Sequence, residues 1–355
     1  MLGVRVKQAR TTAGLSLRDL AEKVGVSAMA LSKYERDEIN PSSEVLMSLA
    51  RALNVRVEYF FRRAQVELVE VDFRKHAKLS KRDEDQVLAD VREQVERWQT
   101  LEEIIPSSWP EQFKIPDGLP AEVATMDAIE GVAEAVRSAW KLGTNPIRDL
   151  MEELELEGIK VIVTPHDGDK KFDGLVALAN GKPVIVVGQG WPGDRQRFTL
   201  AHELGHLVLR GRLAADLDEE RACHRFAGAF LAPRQEAIRA LGESRSRLEP
   251  QELHLLKHEW GLSMGGWIHR AQDLGVINRT TAGKLWGYFS SRGWREKEPG
   301  TPYPNERVQR FHQLVYRALA EDFIGESKAA ELLGIGVANL RALRRMEASD
   351  EADCH

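Results

Sequence analysis

Apolar positions recur at three- and four-residue spacing along most of this chain, which predicts helices, and gather into β-branched runs only in one central stretch. Near the start, Leu20, Ala21, Val26 and Leu31 line two short helices joined at Gly25, with Ser16 and Ser27 where N-caps belong. Asp19, three residues after Ser16, completes a capping-box pattern. A further helix opens at Pro41-Ser42-Ser43-Glu44 and carries Leu46, Leu49, Ala50 and Leu53. Helix, tight turn and second helix is the geometry that sends a recognition helix into the major groove.

From Leu79 to Ile105 the chain is highly charged, with Val87, Leu88, Val91, Val95, Trp98 and Leu101 at near-helical spacing. One long amphipathic helix is predicted, either packed on its own chain or forming a dimer seam. Prolines at 106, 110, 116 and 120 mark a loop and a candidate boundary. The helical period returns through Ile129, Val132, Ala133, Val136 and Trp140. Then Ile159 to Val163 reads as a strand, and Gly174–Ala179, Asn180-Gly181 and Pro183–Val187 as a hairpin. An exposed edge of that sheet would hold an extended peptide by main-chain hydrogen bonds.

The hairpin leads directly into Phe198-Thr199-Leu200-Ala201-His202-Glu203-Leu204-Gly205-His206. Residues four apart lie one above the other on a helix, so His202 and His206 can offer two imidazole nitrogens to one metal ion. Glu203, one step round, can reach a water on that metal; two imidazoles, an open position and a carboxylate base are what zinc hydrolysis needs. Leu200, Leu204, Leu207 and Val208 form an apolar stripe that buries this helix, and Gly205 suggests close approach of another backbone. A second helix follows from Asp218 to Pro233, with Ala222, Phe226, Ala229 and Phe230 on its buried face. Glu220 or His224 on it could supply a third ligand, with Glu219 more remote.

These residues resemble the ImmA/IrrE metallopeptidases, bacterial and phage zinc proteases that act on repressor proteins. The likeness rests on Arg197 to His206, Glu220, Phe226-Ala227 and Leu231-Ala232-Pro233. It implies Zn²⁺ ligands at His202, His206 and Glu220, with Glu203 as general base. His224 departs from the family, which usually has asparagine or aspartate there. The first sixty residues resemble the Xre/Cro-type helix-turn-helix of phage repressors, through Leu20-Ala21-Glu22, Gly25-Val26-Ser27 and Leu31 to Arg36. That likeness puts Ser27, Ala28, Met29 and Lys33 towards DNA, with Arg18, Ser32 and Arg36 as phosphate contacts. Ala28 and Met29 lack the bidentate hydrogen bonds that read adenine or guanine, which shifts specificity to thymine methyl contacts or DNA shape.

Composition adds limits. A net charge of −5 over 355 residues confines any nucleic-acid binding to a local surface. No apolar run is long enough to span a bilayer and no signal-peptide core is evident, which predicts a cytoplasmic protein without a membrane role. Two cysteines, Cys223 and Cys354, give no disulfide framework, and Cys223 reads as a small buried residue.

The C-terminal third is predicted helical, with Trp267 and Trp286 as core anchors. Gly293-Trp294-Arg295-Glu296-Lys297-Glu298-Pro299 resembles a stretch found after the peptidase core in longer family members. Ala330 to Leu340 echoes Ala21 to Leu31, as a second helix-turn-helix or an ordinary helix pair.

The expected fold class is multidomain and mainly α: a helix-turn-helix domain (1–63), a helical connector (64–120), an α+β zincin-like core with a small sheet (121–240), a helical region (241–345) and an acidic tail (346–355). The expected function is a DNA-binding regulator fused to a zinc endopeptidase that cleaves a repressor or partner protein. The alternative is a non-proteolytic transcription factor or antitoxin whose metal domain senses a ligand or binds a partner. Expected partners are a double-stranded DNA operator, a protein substrate and a second copy of the chain as a homodimer.

Overall fold

The computed structural model describes residues 2–61, 66–73, 79–106, 112–165 and 172–347. Ser107, Ser108, Trp109 and Pro110, and the acidic tail from 348, lie outside them.

Helices α1 (Leu2–Thr12), α2 (Leu17–Val24), α3 (Ala28–Glu35) and α4 (Ser43–Ala52), with a 3-10 turn over Val57–Phe61, bury one small core around Val6, Leu20, Leu31, Leu49 and Phe60. The local signals act as expected. Ser16 and Asp19 form a full capping box, Gly25 ends α2 in the left-handed conformation (φ 76°), and the Ser27 side chain accepts from Ala30 N.

The rest of the chain is built on a four-stranded sheet. Its members are β1 (Leu68–Phe73), β2 (Lys160–Thr164), β3 (Gly174–Ala179) and β4 (Lys182–Gly188), in the order β1-β3-β4-β2. β3 and β4 form the expected hairpin, with Asn180 (φ 50°) and Gly181 (φ 78°) both left-handed in the turn, and β2 runs parallel to β4. Alternation splits the strands between two layers. Val161, Val176, Ile185 and Val187 face one core, and Ile162, Leu175, Ala177, Val184 and Val186 face the other.

The second of these cores is closed by α5 (Lys81–Ile104), through Val87, Val91, Val95, Trp98 and Leu101. The apolar face that would have served a dimer seam is therefore consumed within its own chain. A capping box at Ser80 and Asp83 starts this helix. The first core holds α6 (Ala128–Ala139), α7 (Leu150–Leu156), α8 (Gly193–Leu209) and α9 (Glu219–Leu231), with α10 (Arg234–Leu241), α11 (Pro250–Trp260), α12 (Met264–Asp273) and α13 (Arg279–Ser291) packed behind. Trp267 is fully buried there and Trp286 partly so. A buried bidentate pair between Arg270 and Glu130, at 2.5 and 2.7 Å, ties α12 to α6.

α14 (Gln309–Ala320), α15 (Glu326–Leu333) and α16 (Val337–Arg344) return to the α5 side of the sheet, where Phe311 meets Trp98 at 5.1 Å between ring centroids. The α15–Gly334–α16 corner repeats the α2–Gly25–α3 corner: Ile335 N donates to Ala330 O as Val26 N does to Ala21 O. On α16, however, Arg341 and Arg344 are both tied to Glu326. Among the described residues, no helix is long and apolar enough to cross a membrane.

Candidate metal centre and DNA-facing helix

α8 and α9 cross closely because Gly205 sits at their contact. A Cβ there would come within 3.3 Å of Cys223 Cα and 3.2 Å of the Phe226 ring. This approach carries the α9 carboxylates to the two histidines of α8. His202 Nε2 and His206 Nε2 are 3.1 Å apart; His202 Nε2 lies 3.5 Å from Glu220 Oε2, and His206 Nε2 lies 3.7 Å from Glu220 Oε1. His202 is fully buried and Glu220 a quarter exposed, so Glu220 is the solvent-facing member of that pair.

Those separations suit one ion. Tetrahedral zinc with nitrogen and oxygen ligands at roughly 2.0–2.2 Å sets its donors about 3.3–3.5 Å apart. Two imidazoles and a carboxylate are also the donor chemistry that zinc accepts, and these three residues converge within 4.8 Å. The other nitrogen of His206, Nδ1, meets Glu219 Oε1 at 3.1 Å. A carboxylate there keeps the proton on Nδ1 and frees Nε2 for the centre. Glu219, the remotest of the three candidate donors, thus orients a histidine. His224 directs its Nδ1 to the backbone carbonyl of Glu220 at 2.7 Å and packs edge-on against His202 at 4.6 Å.

Glu203 is buried and faces the sheet. Gly174, the first residue of β3, lies against it: a Cβ at that position would be 3.5 Å from Glu203 Oε1 and 2.4 Å from the Thr199 methyl. Nothing in the spacing of the motif announces this glycine.

A strap from Trp294 to Glu306 fixes the far end of α8. Tyr303 O accepts from Gly193 N at 3.1 Å, and Glu306 accepts from Leu150 N and Met151 N while pairing with the buried Arg197. Glu298 likewise caps α12 through Met264 N and Gly265 N and binds Lys257 at 2.9 Å. The Gly293–Pro299 stretch thus feeds the acid-bearing strap that holds α8, the helix of His202 and His206.

In the N-terminal core, α3 presents Met29, 71% exposed, with Ser27 and Arg18 also exposed and Ala28, Ser32 and Lys33 partly so. Arg36 is engaged with Glu38 at 2.6 Å and with the Ser32 hydroxyl at 3.0 Å.

Residues 6–60 match the helix-turn-helix family model, and residues 154–272 match that of the IrrE N-terminal-like domain, a metallopeptidase-type family. The chain belongs to the Xre-type helix-turn-helix regulators, with an ImmA/IrrE-type domain joined behind. Among curated relatives, the regulator ImmR of Bacillus subtilis is 37% identical over 65 residues, 18% of this chain and 51% of that protein. SinR of the same species is 45% identical over 58 residues, 16% of this chain and 52% of SinR. An uncharacterized helix-turn-helix regulator of Archaeoglobus fulgidus is 33% identical over 57 residues, 16% of this chain and 81% of its own length. The chain spans about half the length of the Bacillus relatives. The chain thus matches a helix-turn-helix model at its start and a metallopeptidase-type model further on.

Proposed function

We propose that this regulator is a zinc endopeptidase acting on a repressor or other partner protein, localised by its helix-turn-helix domain at a DNA operator. The observation that carries the reading is the convergence of His202, His206 and Glu220 at near-tetrahedral spacing, with Glu203 adjacent on the same helix.

In this reading His202, His206 and Glu220 hold Zn²⁺. When bound, the ion supplies Lewis acidity that brings the pKa of water towards neutrality. Glu203 takes a proton from the attacking water and returns it to the leaving amine nitrogen as the peptide bond breaks. The products are a new carboxylate and a new amine. Glu219 keeps His206 in the tautomer the centre requires. On DNA, Ser27, Ala28, Met29 and Lys33 face the bases, and Arg18, Ser32 and Arg36 the phosphates. Such placement would concentrate the peptidase beside an operator-bound repressor.

The test is elemental analysis joined to a cleavage assay. The parent is expected to carry one zinc per chain, His202→Ala none. Glu203→Gln should retain zinc and lose cleavage of a co-expressed partner by at least a hundredfold. Cleavage by Glu203→Gln at the parental rate would remove the proposed base, and a zinc-free parent after zinc addition would remove the centre.

A further inference from the structure

The sequence predicts an exposed sheet edge able to hold an extended peptide. The free edge of β3 is taken by β1, a strand absent from the hydrophobic pattern. The pairing is antiparallel, from Leu68 opposite Ala179 to Phe73 opposite Leu175, with a bulge between Val69 and Asp72. Phe73 thus ends one residue short of the position opposite Gly174, the glycine that touches Glu203. A peptide entering the site by main-chain pairing with β3 would need this same edge.

β1 is short: it has six residues and a bulge, and Glu70 and Asp72 interrupt its apolar sequence. Just before it, Asn180 N donates to Glu67 O at 3.2 Å, and Asn180 Oδ1 accepts from Glu67 N at 3.1 Å. By position it lies between the DNA-binding core, which ends at Phe61, and α5.

We propose that β1 is an internal occupant of a peptide-binding edge, an extended segment of the chain itself that shuts out other extended peptides until it leaves β3. The consequence for turnover rests on the peptidase reading; the binding does not. The ligand class is an unfolded or loop segment able to pair antiparallel to β3.

The experiment uses full-length protein carrying Glu203→Gln, loaded with zinc, and a fluorescein-labelled synthetic peptide of residues 66–73. Two further variants loosen β1. Val69→Pro removes an amide on the side Glu67 turns to the sheet. Asn180→Gly keeps the left-handed turn and removes the side-chain acceptor for Glu67 N. Each should bind the peptide at least tenfold more tightly than the Glu203→Gln parent, with amide protection at Val176 and Leu178 lowered before addition and restored after it. Unchanged affinity in both variants would overturn the proposal. With Glu203 intact, the same variants should raise cleavage of casein about tenfold. Tighter peptide binding without any casein cleavage would keep the edge assignment and sink the peptidase reading instead.

Discussion

Arg5 of the first helix and Glu96 of α5 form a buried ion pair, Nη1 to Oε2 at 2.5 Å, that fastens the DNA-binding core to the sheet-bearing body. The Arg5 guanidinium also lies over the Tyr59 ring at 5.4 Å, and burial pushes the Tyr59 hydroxyl pKa up. Arg82 bonds Gly14 O, and Gln86 reaches Thr12 O at 3.4 Å. The helix-turn-helix is thus docked against α5 rather than hung from a loose connector.

Removing one side of such a pair leaves the other charge uncompensated, at a cost of about 3 kcal/mol. Arg5→Met should therefore split calorimetric unfolding into two transitions, the first belonging to residues 2–61. A single unshifted transition in the variant would mean that the pair does not couple the two parts.

His224 and Glu220 make opposite predictions for metal content. Glu220→Ala should lose most bound zinc, because its carboxylate completes the donor triangle. His224→Asn should retain one zinc per chain, because its Nδ1 serves the Glu220 backbone. Glu219→Gln lies between them, with metal affinity lowered roughly 10–100-fold through His206. Zinc loss in His224→Asn, with Glu220→Ala unaffected, would exchange the two roles.

How much of this was legible in the chain differs by scale. Helix ends at Ser16, Gly25 and Ser27 were readable because capping is settled within four residues. The His202–Glu203–His206 face was readable for the same reason: its period is local. β1 was not, since Leu68–Phe73 gains strand character only from pairing with residues a hundred positions away. Nor was the strap, where Glu298 and Glu306 look like surface acids until helix ends arrive to use them. The amphipathic pattern of α5 announced a buried face but not its partner.

Gly174 lies where β3 and α8 touch. A Cβ there would sit 2.4 Å from the Thr199 methyl and 2.9 Å from Val186 O. Gly174→Ala should destabilise by about 1–3 kcal/mol through overpacking and shift Glu203. Thr199→Ser removes the clashing methyl, so the double variant should regain part of that loss in urea unfolding. Additive losses would place the strain at the Val186 carbonyl instead.

Lys33 tests the DNA-facing assignment. A base-facing lysine reads sequence, so Lys33→Ala should relax preference at one position of the operator. A uniform loss at all sites, with the salt slope of binding reduced by about one, would move Lys33 to the phosphates instead. Competition binding at several salt concentrations separates the two.

Glu155 makes stability depend on pH. It is buried on α7, and burial pushes its pKa up to about 8 against the opposing charges of Arg310 and Lys160. A folded pKa above the unfolded value of 4.5 means that the folded state holds the proton more tightly. The contribution is full below pH 4.5 and is lost as pH rises through 8. Its size is on the order of 5 kcal/mol at roughly 1.4 kcal/mol per pKa unit. Asp194 and Glu306, also raised by burial, act in the same direction. Glu155→Gln keeps a neutral group of the same shape, so urea midpoints should fall less steeply between pH 5 and 8.5 than in the parent. Parallel slopes would show that Glu155 is ionised in the folded protein.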